Sequence, residues 1–268
     1  MITLEYHDVV DAANFDASGF PGAAANSYKL TLPLFDQHLQ ALAGRPGCGG
    51  DVRSAVAAGD SPVLLTFDDG GISAHTVIAS ALERSHFLGH FFVTTSRIGS
   101  PGFCTTDALR ALAGRGHVVG SHSHTHPVRM AKLTDRELRE EWQISIGLLA
   151  EILGAPPVVA SVPGGYYSRR IARAAAAEGI RYLFTSEPVT GVHMIDGCQV
   201  LGRFTLRRGS PAREVRSLVG HLGAARVRQW AVWNAKKVVK RLGGETYLRI
   251  RNLAFSRGNG PTEPEPGS

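Results

Sequence analysis

The chain has 268 residues, 43% of them apolar and 19% charged, with a formal net charge of +6. Such a length supports one sizeable core and such a composition excludes a disordered chain, and no apolar run reaches the ~18 residues that a bilayer span needs. The charge is uneven: residues 203–268 hold 14 Lys/Arg against 4 Asp/Glu, while residues 1–202 hold 15 against 19, so an anionic partner belongs with the last quarter of the chain.

In chain order, residues 2–7 read as a first strand, followed by a polar, Gly- and Ala-containing stretch to about residue 31. Leu32-Pro33 opens a helix through Leu39 and Leu42 that ends near Gly44, and the glycine-punctuated residues 45–61 read as a loop. Pro62 to Phe67 is a buried strand, 73–85 a helix carrying Val77, Ile78, Ala81 and Leu82, and 86–94 the next strand. Thr106 is placed as the cap of a short helix ending at Gly114 or Gly116, before a strand at 117–121. Thr134 and Glu137 have capping-box spacing ahead of a long helix through Leu138, Trp142, Ile146, Leu149 and Leu153. A strand at 157–162, an alanine-rich helix from Ser168 to Glu178, strands at 181–185 and 200–206, and helices near 211–222 and 225–242 follow. The alternation predicts an α/β chain with a largely parallel sheet, closed or nearly closed as a βα barrel, whose chemistry sits on the loops after the strands. Three units are expected: a barrel over 1–224, a basic amphipathic helical extension over 225–257 and a disordered tail over 258–268. Cys48, Cys104 and Cys198 are odd in number and widely spaced, which predicts packing thiols rather than a disulfide framework.

Three segments carry chemistry. Thr66-Phe67-Asp68-Asp69-Gly70-Gly71 follows an apolar strand, and adjacent strand residues point opposite ways, so the two carboxylates cannot share one role. One can bind a cation while the other faces substrate or water; alone, the same dipeptides describe an ordinary Asp-Gly turn. Gly120-Ser121-His122-Ser123-His124-Thr125-His126-Pro127 follows another strand. If it enters a helical turn, His122 and His126 at i and i+4 reach one ion while His124 points elsewhere; a loose surface cluster is the alternative. Two imidazoles with one carboxylate leave an open coordination position, as catalytic zinc sites do. Ser161-Val162-Pro163-Gly164-Gly165-Tyr166-Tyr167-Ser168 joins a strand to a helix. Its glycines permit close backbone approach, with N–H groups free to face an oxyanion, and its plain reading is a βα turn capped by Ser168.

In this order and spacing the segments resemble the polysaccharide deacetylase family, the NodB-homology domain of carbohydrate esterase family 4. Thr66-Phe67-Asp68-Asp69-Gly70 matches the family's first motif and His122-Ser123-His124-Thr125-His126-Pro127 its second, over a resemblance spanning about 60–206. The resemblance implies a distorted (β/α)7 barrel, with Asp69, His122 and His126 as metal ligands and Asp68 as general base. It places the Gly164 N–H at the oxyanion, with Tyr166 beside it on the substrate side. Two departures stand out. Ser161 occupies the place of the family's third-motif Arg, which pairs with the base; Arg203 is a spatial substitute for it on the substrate side, or else an ordinary surface Arg. The fifth-motif His, the general acid, has no convincing match, since His193 falls in a loop and His221 in a helix. His7 in Tyr6-His7-Asp8 is the candidate acid, because a similar segment opens the poly-N-acetylglucosamine deacetylase branch; an ordinary hydrogen-bonded loop His is the alternative.

The expected function is therefore a metal-dependent N-deacetylase that converts the acetamide of an N-acetylated sugar to an amine and acetate. The expected cofactor is a divalent metal, zinc foremost. The alternatives are a catalytically inactive glycan-binding relative and a hydrolase of another C–N or ester bond on the same barrel. In 226–242, Val227, Trp230, Ala231, Val238 and Leu242 recur near helical spacing among Arg226, Arg228, Lys236, Lys237, Lys240 and Arg241, with Trp233 off the stripe. Packing of the stripe against the barrel is the default expectation, and contact with an anionic membrane the alternative. No nucleic-acid module accompanies the charge. The opening residues lack a secretory pattern, so a cytoplasmic location, with membrane association through 226–242, is expected.

Overall fold

Eight short runs of β-branched, aromatic and leucine residues line up in parallel and a ninth closes one edge. The structure is a computed structural model that describes residues 1–235 apart from 46, 60, 61 and 222. Its strands are β1 (Ile2–Tyr6), β2 (Val9–Val10), β3 (Leu30–Thr31), β4 (Val63–Phe67), β5 (Gly89–Val93), β6 (Val118–Ser121), β7 (Val159–Ser161), β8 (Tyr182–Phe184), β9 (Val192–Ile195), β10 (Cys198–Leu201) and β11 (Phe204–Thr205). Helices α1 (Ala23–Asn26), α2 (Leu32–Leu42), α3 (Val52–Ala58), α4 (Ala79–Arg84), α5 (Thr106–Gly114), α6 (Asp135–Leu153), α7 (Arg169–Ala177) and α8 (Ala212–Val219) join them. Residues 224–235 form a further helix, α9.

The sheet order is β11-β1-β4-β5-β6-β7-β8-β10-β9, with only the β10–β9 pair antiparallel. Among the described residues no ladder joins β11 back to β9 or β10, so the expected distorted barrel is a curled half-barrel. Its inner face is graded. Leu64, Phe92, Val118, Val159, Phe184 and Leu201 make a small apolar floor. Two residues further along the same strands, on the same face, stand Thr66 and Ser161, with Asp68 and His122 above them. The register sets these groups at one level, since Tyr6 pairs with Phe67, Val93 with Ser121, and Ser161 with Phe184. The larger apolar clusters lie between the outer face of the sheet and the helices.

Several elements differ from the expectation. The loop read at 45–61 contains α3: the Asp51 side chain accepts the Arg53 N–H at its start, and Gly59 at φ +71° ends it. The cap of α5 is Thr105, not Thr106, since the Thr105 hydroxyl accepts the Ala108 N–H. The strand read at 200–206 breaks into β10 and β11 around Gly202-Arg203. A Cβ on Gly202 would lie 2.4 Å from the Glu187 carbonyl, so only glycine lets the chain pass there from one end of the sheet to the other. His193, read in a loop, lies on β9 opposite Val200.

The helical extension also reverses its expected facing. Val227 and Trp230, expected to pack on the barrel, are 65% and 51% exposed, and Ala231 is exposed with them. The extension from residue 236 onward and the tail at 258–268 lie outside the described residues. The capping box is as expected: Thr134 Oγ1 accepts the Glu137 N–H and the Glu137 carboxylate accepts the Thr134 N–H at the start of α6.

Candidate active site

Two loops at the C-terminal ends of β4 and β6 converge. Asp69 Oδ1 lies 3.5 Å from His122 Nε2 and 3.4 Å from His126 Nε2. One donor atom from each of the three residues falls within 4.8 Å of every other, the only such set of three or more His, Cys, Asp or Glu among the described residues. Asp69 at φ +75° and His126 at φ +59° are held in the left-handed region that non-glycine residues rarely adopt. Such backbone strain persists where the surroundings over-determine it. Here Thr94 N–H donates to the Asp69 carbonyl, and Ser123 Oγ accepts the His126 N–H. The second loop is gripped from α6, where the Glu141 carboxylate accepts the N–H groups of His124 and Thr125 (2.9 Å each) and the Thr125 hydroxyl (2.5 Å). His124 turns away to Thr95, 3.0 Å off, but the segment is not the helical turn expected: left-handed Ser123 (φ +63°) and His126 (φ +59°) fold the loop so that His122 and His126 meet.

The donor set fits a divalent cation. Asp69 Oδ1 is buried without a hydrogen bond among the described residues, and both Nε2 atoms face it. Burial pushes His122 down to about 4, so its Nε2 lone pair is free near neutrality. Burial also opposes charge on His126, but its contact with Asp69 outweighs that and raises it. Burial works against ionised Asp69 as well, and the two imidazoles with His7 more than offset it and lower it.

Asp68 is separate. Burial would raise it, but the Arg203 guanidinium, backed by His122, holds it far below the ordinary carboxylate range. Arg203, 0% exposed, donates to Asp68 Oδ1 and Oδ2 (2.7 Å each), to Glu5 Oε1 (2.8 Å), to the Thr185 carbonyl (3.1 Å) and to Thr66 Oγ1 (3.2 Å). These use all five guanidinium donors. The surface-Arg reading is thereby corrected, and so is the placement of Arg203 on the substrate side, since it has no donor left for a ligand. Glu5 is held in turn by the hydroxyls of Thr205 and Ser186. Ser161, where the third motif would carry Arg, bridges the two halves: its hydroxyl donates to Asp68 Oδ1 (3.1 Å) and lies 2.5 Å from His122 Nδ1.

The other sequence candidates sit at the same end of the sheet. His7 follows β1 with its ring 4.8 Å from that of Tyr28. Asp8, next along, accepts hydrogen bonds from Ser18 (2.5 Å) and Ser73 (2.7 Å) and backs Gly71 behind Asp69. Gly164, at φ +68° in the turn after β7, backs onto the Val128 carbonyl, which would lie 2.7 Å from a Cβ there. Tyr166 follows, with the Arg129 guanidinium 5.7 Å from its ring centre.

Comparison with known proteins points to one family. Residues 55–183 match the sequence profile of the polysaccharide deacetylases. Over those residues, just under half of the chain, the match is to the polysaccharide deacetylase family. A gellan lyase from a Bacillus species is 32% identical over 147 residues, 54% of this chain and 6% of that protein. The chain spans between 6% and 46% of the length of the curated relatives it matches. The Streptococcus pyogenes deacetylase PplD, solved in complex with acetate, superposes with a TM-score of 0.66 at 21% identity, covering 80% of this chain and 95% of its own. A Bacillus cereus polysaccharide deacetylase superposes with a TM-score of 0.66 at 17% identity, covering 79% of this chain and 66% of its own. At those identities the likeness concerns the fold.

The site holds residues that sequence reading passed over. Glu5 and Glu141 had no local signal, because each acts on a segment more than a dozen residues away. Ser161 was visible only as a departure. Trp233 was set aside as off the apolar stripe, yet its ring lies on the third-motif loop, with Cη2 at 3.2 Å from where a Gly165 Cβ would be.

Proposed function

We propose that the protein is a metal-dependent N-deacetylase that hydrolyses the acetamide of an N-acetylated sugar to a free amine and acetate. One observation carries the reading: a carboxylate and two imidazoles bring their donor atoms within 4.8 Å of one another, and a second carboxylate that is not part of that set, paired to Arg203, stands beside them. A catalytic Asp-His-His metal site has this composition, and a binding module needs no such second acid.

Asp69, His122 and His126 would hold the cation, with zinc the first candidate among divalent ions. When bound, the ion supplies Lewis-acid polarisation of the acetyl carbonyl. Asp68, ionised at any working pH, takes the proton of the attacking water. Arg203 and Ser161 fix the direction in which its oxygens point. The Gly164 N–H serves the developing oxyanion, and Tyr166 lines the cleft beside it. His7 delivers the proton to the departing nitrogen, a role suited to an imidazole at a strand end. On this reading the protein falls in the branch with an N-terminal Tyr-His-Asp segment.

The test is metal analysis of the purified chain together with acetate release from N-acetylglucosamine oligomers. Stoichiometric divalent metal with acetate release that chelation abolishes is expected. Oligomer binding without acetate release would replace the proposal with a glycan-binding role. Turnover of acetyl esters but not acetamides would replace it with an esterase.

A further inference from the structure

We propose that α9 docks the protein on an anionic membrane surface, with the active-site mouth turned toward the lipid. Ala225 is buried, Gln229 Nε2 donates to the Thr205 carbonyl (3.1 Å) and to Glu214 (3.2 Å), and Trp233 rests on Gly165. Arg226 donates to the carbonyl of Gly220 at 2.9 Å. The opposite side holds Val227 (65% exposed), Ala231 and Asn234, with the exposed Arg228 between them and Val232 (47%), and Trp230 (51%) on the flank next to Trp233. A surface helix ordinarily buries its apolar side and shows its polar side to water. This one is held largely by polar contacts and leaves Val227, Trp230 and Val232 exposed beside Arg228.

A singly exposed apolar residue needs no explanation, but these are grouped and they adjoin the site. Trp233 lies on the third-motif loop one turn from Trp230. On the other side of that loop, Val128, whose carbonyl crowds Gly164, is 61% exposed. The apolar rim and the catalytic mouth therefore share an edge.

Charge decides the partner. Lys236, Lys237, Lys240 and Arg241 follow directly in sequence, and residues 229–244 hold no Asp or Glu against them. An apolar protein groove would account for the valines and tryptophan but not for the cationic excess. A polyanion in solution would account for the charge but not for the exposed apolar residues. An anionic bilayer accounts for both, through shallow insertion of Trp and aliphatic groups and attraction of the cations to headgroups. No helix among the described residues is long and apolar enough to cross a membrane, so the contact proposed is peripheral. It does not depend on the deacetylase reading, and its test does not use activity.

The full chain is sedimented with phosphatidylcholine vesicles and with phosphatidylcholine–phosphatidylglycerol vesicles, while tryptophan emission is followed. Binding to the anionic vesicles alone is expected, with a blue shift of emission and release at high salt. Val227→Ser with Trp230→Ser should weaken partitioning at least about tenfold with an unchanged melting temperature, because both side chains are exposed. Lys236→Gln, Lys237→Gln, Lys240→Gln and Arg241→Gln together should remove the preference for phosphatidylglycerol. Ile144→Ser, at an exposed apolar position on the outer side of α6, should leave binding as it was. Absence of binding to anionic vesicles would overturn the proposal, as would an equal loss in Ile144→Ser. Self-association that Val227→Ser and Trp230→Ser abolish, without vesicle binding, would assign the face to a second copy of the chain instead.

Discussion

Replacing Arg203 by methionine is the most informative perturbation of the site. The guanidinium is fully buried and donates five hydrogen bonds, three of them to two carboxylates. Removing one member of a buried ion pair costs about 3–5 kcal/mol, because the surviving charge stays buried without compensation. Here two charges survive. Asp68 keeps the Ser161 hydroxyl, and Glu5 keeps those of Thr205 and Ser186, so neither is left bare. A loss of about 4–5 kcal/mol is therefore expected in urea denaturation of the metal-free protein at neutral pH. A bound divalent cation beside Asp68 would replace part of the missing positive charge, so the metal-loaded variant should lose less. Glu5→Gln removes one of the stranded charges. The double variant should then be at least ~1.5 kcal/mol more stable than the sum of the single losses implies. The variant should also show Asp68 rising toward its ordinary range, since the main influence lowering it is gone. The sign follows: less of the base is ionised at a given pH, so the acid limb of the rate profile moves to higher pH. A loss under ~1 kcal/mol, or strict additivity with Glu5→Gln, would refute the network as drawn.

Asp68→Asn should retain the metal by elemental analysis while acetate release falls by about 10²–10⁴-fold, whereas His122→Ala should lose the metal; activity of Asp68→Asn equal to wild type would remove Asp68 from the role of base. His90 is buried, accepts the Val52 N–H at 3.1 Å, and is pushed by burial from 6.5 down to about 4. The unfolded chain binds the extra proton between those values, so the contribution is whole above about pH 6.5 and is lost as pH falls toward 4, roughly 3 kcal/mol in all. Urea melts of wild type and His90→Gln across that range check it, and parallel pH curves would contradict it. Gly71→Ala would set a Cβ 2.0 Å from Asp8 Oδ1, so a loss of about 1–3 kcal/mol is expected, read as a lower melting temperature and contradicted by an unchanged one.

Much of the fold was legible because its signals are local. A buried parallel strand needs a continuous apolar run, and Val63–Phe67 and Gly89–Val93 supply it. Thr134 and Glu137 meet within one helical turn, so the start of α6 was readable from spacing alone. The metal-site candidates were readable for a related reason: Asp69 and His122 fall within two residues of the end of an apolar strand, where uncompensated polar groups would be costly, and His126 follows His122 by four. The helix at Val52–Ala58 was masked by the glycines around it, although Asp51 and Gly59 mark its ends.

What tertiary structure alone decided were contacts between segments distant in the chain. Arg203 reaches Asp68 across 135 positions and Glu5 across 198, and no periodicity encodes such a meeting. It arises because the sheet curls until β11 lies beside β1, while Gly202 lets the chain leave β10 just before it. The facing of α9 was likewise beyond the sequence pattern. An apolar stripe on a helix says that one side differs from the other; which side meets the protein depends on what the barrel offers, here the Thr205 carbonyl, Glu214 and the Gly165 loop.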